Sequence, residues 1–253
     1  MMGKTYVCSD IHAHADVLRE VLAMLGEDDR LYMIGDAVDK GPDGMEALQM
    51  LIADPRCEML LGNHDLMMMQ NYECEKHRDE VSILKRDDIF FRWQILNFGN
   101  HTWDALMQES EEEQERLMDY LKSRPLLKLL EVNGRKFCLV HAAIPADYPL
   151  DDLHDLYLDT IADEKYPFLF DWKSDFVWGR YVTKIPGYTV IVGHTPAQYR
   201  GDEYILQDGE DWYDIDCGLA YNEDSSKLAL LRLDDMELRY IPIGKKAAFS
   251  DRR

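Results

Sequence analysis

Apolar positions change rhythm repeatedly along the first quarter of the chain. A short run, Thr5-Tyr6-Val7-Cys8, stops at the polar pair Ser9-Asp10. After it, Val17, Leu18, Val21, Leu22 and Leu25 recur at helical spacing and predict a helix over residues 15–25. Residues 31–34 (LYMI) form a second strand-like run, stopped by Gly35-Asp36, and residues 44–53 read as helix. Residues 57–61 form a third such run, followed by Gly62-Asn63-His64-Asp65. Three strands alternating with helices predict a βαβαβ opening, and binding sites in such sheets form beyond the carboxyl ends of the strands.

Residues 66–125 differ in character. They are rich in Met, Glu, Gln, Lys and Trp and poor in strand signals, and they read as a helical cap inserted within a single domain, 1–253. A helix over 109–122 is the clearest part, with Glu111-Glu112-Glu113 in its first turns. A strand-rich half follows, with strands expected over 126–132, 136–140, 189–192, 212–215, 229–233 and 238–242. The acidic, Tyr-rich stretch 147–175 reads as a loop with one short helix. The fold class expected is α/β.

Composition narrows the partners. A formal net charge of −21 repels nucleic acid and anionic membranes at long range, so neither is expected as a partner. It also repels free phosphate, so a phosphate site in this chain needs local positive charge, which bound metal ions can supply. The five cysteines are widely spaced with no CxxC, which argues against a disulfide framework or structural zinc and fits a reduced, cytoplasmic protein. No run of about 18 apolar residues predicts a membrane span.

The candidate chemistry lies in five short clusters, each behind an apolar run. They are Asp10 and His12 in SDIHAH, Asp36 in GDAVDKGPD, Asn63 and His64 in GNHD, His141 in VHAAIP, and His194 in GHTP. Imidazole nitrogens mixed with carboxylate and amide oxygens suit Mn, Fe, Zn or Ni better than Mg or Ca. Two such ions held roughly 3.5–4 Å apart bridge and activate a water as hydroxide. Asp36 is the natural bridging carboxylate, with Asp10 and His12 completing one ion and Asn63, His141 and His194 the other. Singly these residues read otherwise: Asp10 as a helix N-cap, His141 as a buried hydrogen-bonded histidine, Gly193-His194-Thr195-Pro196 as a plain turn. Their common position at strand ends, in one order, gives the metal reading its force.

The clusters resemble the signature D-x-H, G-D-x-x-D, G-N-H-[DE], H, G-H of the calcineurin-like metallophosphoesterases. The fuller motifs GDAVDKGPD, VHAAIP and GHTP resemble its phosphoprotein (serine/threonine) phosphatase branch, bacterial type. Trp93, Asn97, Gly99 and Thr102, in W-x-x-x-N-x-G-x-x-T, are similar to a stretch of the bacterial members. The resemblance implies a sandwich of two mixed β-sheets flanked by helices, and two metal ions, Mn²⁺ foremost. It implies His64 as the general acid oriented by Asp65, with Asn63, Arg180 and Lys40 on the substrate phosphate. The activity implied is hydrolysis of phosphomonoesters, of a phosphorylated protein or a small phosphate ester. Symmetrical diadenosine tetraphosphate hydrolysis is the alternative, and a non-catalytic metal-binding scaffold stands below it. The chain departs from the pattern at Lys40, where arginine is usual, at Ala143 in His141-Ala142-Ala143, and at Ala13. His14, beside Ala13, is expected to be a solvated residue at the helix start.

Overall fold

The computed structural model describes residues 3–150, 153–171, 174–202, 204–221 and 225–243. The alternation of the sequence is realised in two mixed sheets. The first has the order β10-β9-β1-β2-β3, built from β1 (Thr5–Cys8), β2 (Arg30–Ile34), β3 (Cys57–Leu60), β9 (Lys227–Arg232) and β10 (Glu237–Pro242). Strands β1, β2 and β3 are mutually parallel, as the intervening helices α1 (Ala15–Met24) and α2 (Glu46–Ala53) require, while β9 pairs antiparallel with β1 and β10 antiparallel with β9. The second sheet has the order β4-β5-β6-β8-β7, from β4 (Leu127–Val132), β5 (Arg135–Val140), β6 (Thr189–Val192), β7 (Leu206–Asp208) and β8 (Trp212–Asp214).

Period-two alternation packs these sheets together. Val7, Tyr32, Ile34 and Leu60 of the first sheet meet Phe137, Leu139, Ile191 and Tyr213 of the second in one buried cluster. Their sequence neighbours Cys8, Leu31, Met33 and Met59, and Cys138, Val140, Val190 and Val192, point outward into a second cluster with the helices. Both faces of each sheet are therefore covered, which explains why the strands read as nearly continuous apolar runs.

Between β3 and β4 the chain is helical: α3 (Asn63–Lys76), α4 (Ile83–Phe90), a π-turn (Phe91–Leu96), α5 (Asn100–Leu106) and α6 (Glu111–Lys122). Helix α6 carries a serine N-cap, Ser110, whose side chain accepts from the Glu113 N–H, and three glutamates in its first turn. Helix α3 is buried from Asn63 to Cys74, so Met67, Met68 and Met69 are core residues of the molecule. It begins inside the GNHD cluster, three residues ahead of the expected cap. Strand β7 was not anticipated, since its Leu206-Gln207-Asp208 has one apolar residue and pairs only at an edge. Of the expected loop 147–175, residues 151–152 and 172–173 lie outside the described part. The remainder includes a 3₁₀ turn, Leu158–Ile161, and helix α7 begins at its end (Asp175–Trp178). Among the described residues no helix is long and apolar enough to cross a membrane.

Candidate metal centre

Beyond β1 and β2 the two loop segments stay tied by backbone hydrogen bonds, Asp10 N–H to the Gly35 carbonyl (3.1 Å) and His12 N–H to the Asp36 carbonyl (2.9 Å). These loops bend sharply. Asp10, His12, Ala13, Asp36, Asp39, Lys40 and His194 all have positive φ, between 43° and 70°. Side-chain-bearing residues held left-handed cost energy, and their concentration here marks a site whose geometry the surrounding fold enforces.

Within this frame the expected ligands converge. Asp36 lies at the centre: its Oδ2 is 3.5 Å from His12 Nε2 and 3.9 Å from His64 Nε2, and its Oδ1 is 3.5 Å from His141 Nε2. One set of mutually close donor atoms comes from His12, Asp36 and His64, and another from Asp36, His141 and His194. Asp10 Oδ1 is 3.9 Å from His12 Nε2, and its Oδ2 accepts the His194 N–H (3.0 Å) and the Ser9 hydroxyl. Asn63 Oδ1 lies 3.0 Å from His141 Nε2. All of these residues are buried.

The glycines of the clusters make this approach possible. A Cβ on Gly193 would fall 2.2 Å from Asp10 Oδ2, and one on Gly62 would fall 2.2 Å from Asp36 Oδ1. Helix α3 starts against Asp36, whose Oδ1 accepts the His64 backbone N–H (2.9 Å), so a helix N-terminus faces the central carboxylate.

The donor set fits a pair of cations. His12 Nδ1 is 3.1 Å from the Val38 carbonyl and His141 Nδ1 is 2.8 Å from the Ile34 carbonyl. Each carbonyl takes the Nδ1–H and leaves Nε2 as an inward-facing lone pair, the orientation of a metal-ligating histidine. His194 Nε2 is buried with no hydrogen-bond partner. Burial and then the charge of Asp10 drive the Asp36 carboxyl well above its usual range, while burial and then Lys40 hold the His12 imidazole well below its own. Burial and then His141 do the same to His194. Buried acids crowded against neutral imidazoles are what a buried positive charge relieves.

The carboxylate beside the His64 ring is not the expected one. Asp65 does not touch the His64 ring. Its Oδ2 accepts the N–H groups of Asp36 (2.8 Å) and Gly62 (2.9 Å), and its Oδ1 that of Ala37 (3.0 Å), so it fastens the β2 loop to the start of α3. Burial and then Asp36 push its carboxyl up to about 8 despite these donors. The partner of His64 is Asp39, whose Oδ2 lies 2.7 Å from His64 Nδ1. Asp39 itself is cradled by the W-x-x-x-N-x-G-x-x-T motif. The Trp93 indole N–H donates to the same Oδ2 (2.7 Å), and the Thr102 hydroxyl oxygen accepts the Asp39 N–H (3.2 Å). Gly99 lies so close under the Trp93 indole that a Cβ there would fall 2.2 Å from Nε1. Burial lifts the Asp39 carboxyl to about 7, with the Thr102 and Trp93 hydrogen bonds acting against it.

Asp65→Ala leaves three buried N–H groups without their acceptor. With each costing on the order of 1–3 kcal/mol, partly recovered by relaxation or water, we expect a loss of about 3 kcal/mol in stability. Urea unfolding checks it, and an unchanged midpoint contradicts the fastening role.

Two cations border the centre. Lys40 is half-buried and its charge reaches His12, Asp36, His64 and His194. Arg180 is exposed, with Nη1 3.3 Å from Thr195 Oγ1 and its guanidinium 5.8 Å from the Tyr199 ring, beside the His194 loop. His14, expected to be solvated, is only 1% exposed, because the loop turns it inward ahead of α1, and burial holds its imidazole below the ordinary range. Asp216 lies in the stretch Asp214-Ile215-Asp216-Cys217-Gly218, similar in sequence to the family's I-D-T-G, but was not among the expected ligands; it is buried near enough to Asp10 that the two charges oppose each other. The five cysteines are all free and buried, and burial pushes the Cys57 and Cys217 thiols up to about 12 and Cys8 higher, so none is a ready nucleophile.

The family model for calcineurin-like phosphoesterases matches residues 3–219. The chain belongs to that family. That family uses a binuclear metal centre, and histidines and aspartates of this chain cluster as metal-holding groups would. Serine/threonine-protein phosphatase 2 of Salmonella typhimurium is 28% identical over 153 residues, 59% of this chain and 61% of that one. The symmetrical bis(5'-nucleosyl)-tetraphosphatase of Erwinia tasmaniensis is 27% identical over 154 residues, 58% of this chain and 46% of that one. The matched stretch thus spans less than two thirds of either relative. A solved protein serine/threonine phosphatase from Saccharomyces cerevisiae shares the fold, with a TM-score of 0.59 at 13% identity, covering 97% of this chain and 82% of that one.

Proposed function

We propose that the chain is a phosphomonoesterase, of the serine/threonine or dual-specificity protein phosphatase kind, working in a reducing cytoplasm. The observation that carries this reading is the His64–Asp39 pair set against the shared Asp36, with Lys40 and Arg180 as the cations beside it. Asp10, His12 and Asp36 would hold one metal ion and Asp36, Asn63, His141 and His194 the other, with manganese the first candidate. When bound, such a pair neutralises phosphate charge and lowers the pKa of water.

The chain's own residues do the rest. The Arg180 guanidinium and the Lys40 ammonium take phosphate oxygens, Lys40 as a point charge without an arginine's fork. His64 Nε2 delivers a proton to the departing oxygen, while Asp39 holds its Nδ1–H and fixes the ring. Burial of the ligands keeps bulk water from competing. With every cysteine thiol buried and protonated, the reaction has no phosphocysteine intermediate. Hydrolysis of a chiral phosphate ester is then expected to invert configuration, and retention contradicts direct attack by water.

Cleavage of the phosphoanhydride in a dinucleoside tetraphosphate is a second reading, supported by the Erwinia relative at nearly the same identity as the Salmonella phosphatase. Purified Mn²⁺-loaded protein should turn over p-nitrophenyl phosphate, and kcat/KM on phosphopeptides should exceed that on diadenosine tetraphosphate. The reverse order selects the second reading, and no turnover of any ester leaves only the scaffold.

A further inference from the structure

Residues 83–98 carry an apolar surface that the rest of the described structure leaves uncovered. Ile83, Leu84, Phe90, Phe91, Ile95, Leu96 and Phe98 are all exposed, Leu84 by 78% and Phe98 by 63%. Among the described residues, every exposed phenylalanine and isoleucine lies in this stretch. Single apolar residues on a surface are ordinary, but a contiguous group of large ones marks a place of contact.

The backbone lines these side chains up. Helix α4 runs without a break into the π-turn, Phe90 and Phe91 both keeping helical dihedrals at the junction. The inner face of this rod is Ile89, Trp93 and Gln94, all buried. Ile83 and Leu84 stand seven residues ahead of Phe90 and Phe91, which on an α-helix puts the four on one outer side. The π-turn has an i→i+5 repeat, so it sets Ile95 over Phe90 and Leu96 over Phe91. A continued α-helix would rotate Leu96 toward the buried face, and the wider turn keeps it in the stripe. Phe98, left-handed at φ 60°, closes the stripe at its far end.

Size, charge and symmetry point to what covers it. At roughly 200 Å² for a large side chain fully in water, the exposed fractions of the seven amount to about 800 Å², the share one partner gives to a stable protein–protein interface. Two chains of net charge −21 repel each other over most of their surface, yet residues 83–98 hold Lys85, Arg86 and Arg92 against only Asp87 and Asp88. The stripe is also centred on Phe90 and Phe91, with Ile83 and Leu84 on one side and Ile95, Leu96 and Phe98 on the other. An antiparallel copy therefore lays Ile83 and Leu84 of each chain against Ile95, Leu96 and Phe98 of the other, the self-complementary arrangement of a two-fold interface. Asp87, the exposed carboxylate on this side, then stands about 10 Å along the helix axis from its copy, far enough for salt to screen the pair. We propose that the chain forms a two-fold homodimer through α4 and the π-turn.

Sedimentation equilibrium of the full chain tests it. The wild type is expected to be a dimer with a Kd in the micromolar range or tighter, and added salt should strengthen it by screening the acidic bodies. Leu84→Glu and Phe91→Glu are each expected to weaken the dimer by roughly a hundredfold or more, because each buries a charge at the contact. Met24→Glu, at an exposed methionine on α1, should leave it intact. Unchanged far-ultraviolet circular dichroism in the glutamate variants separates a lost contact from a lost fold. The native cysteines are all buried, so Phe91→Cys adds a single exposed thiol beside the two-fold axis, and diamide should join two such chains by a disulfide. A dimer that survives both glutamates, or that Phe91→Cys fails to link, overturns the assignment of the interface. A monomer at every concentration overturns the dimer itself. If that monomer binds phosphatidylcholine vesicles and the glutamates abolish the binding, the stripe meets a lipid surface. If the glutamates instead raise KM for a phosphopeptide, it meets a protein substrate.

Discussion

Asp36→Asn is expected to lower kcat/KM by roughly 10³-fold or more, since the several kcal/mol a metal centre supplies convert at about 1.4 kcal/mol per decade. The substitution conserves shape, and an asparagine oxygen can still accept the His64 backbone N–H that Asp36 Oδ1 now takes at 2.9 Å. What it removes is the second oxygen, 3.5 Å from His12 and 3.9 Å from His64, and with it the one carboxylate common to both donor sets. Bound manganese should fall below two equivalents, while the far-ultraviolet circular dichroism stays as in the wild type. Activity within tenfold of wild type contradicts the sharing role.

His64→Ala is expected to reduce kcat by about 10²- to 10⁴-fold on an alkyl phosphate such as a phosphoseryl peptide, the range of a lost general acid. The loss should be much smaller on p-nitrophenyl phosphate, whose phenolate departs without a proton. Asp39→Asn should show a weaker version of the same leaving-group dependence, because the Trp93 indole still holds the side chain at that position while the charge opposite Nδ1 is gone. If the two esters lose activity equally in His64→Ala, His64 serves the metals or the fold and not the departing oxygen.

The strand ends were legible because burial on both faces writes itself as unbroken apolar runs, and the residues that follow them share one sheet edge. That reasoning brought Asp10, His12, Asp36, Asn63, His64, His141 and His194 to one buried place. It failed where the backbone leaves regular geometry. Asp65 adjoins His64 in sequence, yet the first turn of a helix sends neighbouring side chains in different directions, and Asp65 turns back to the loop N–H groups. Asp39 reaches the His64 ring because it and Lys40 are left-handed, at φ 70° and 65°, a bend that no periodicity announces. His14 is inward for the same reason, following Ala13 at φ 53°. The Trp93, Gly99 and Thr102 motif was visible as a pattern, but its purpose, holding Asp39, required the fold.

The central claim is that one edge of the sandwich gathers two cations around Asp36. Anomalous scattering from a crystal of the manganese-loaded protein measures this directly. Two peaks are predicted, one against Asp10, His12 and Asp36, the other against Asp36, Asn63, His141 and His194. A single peak, or manganese bound away from Asp36, contradicts the account.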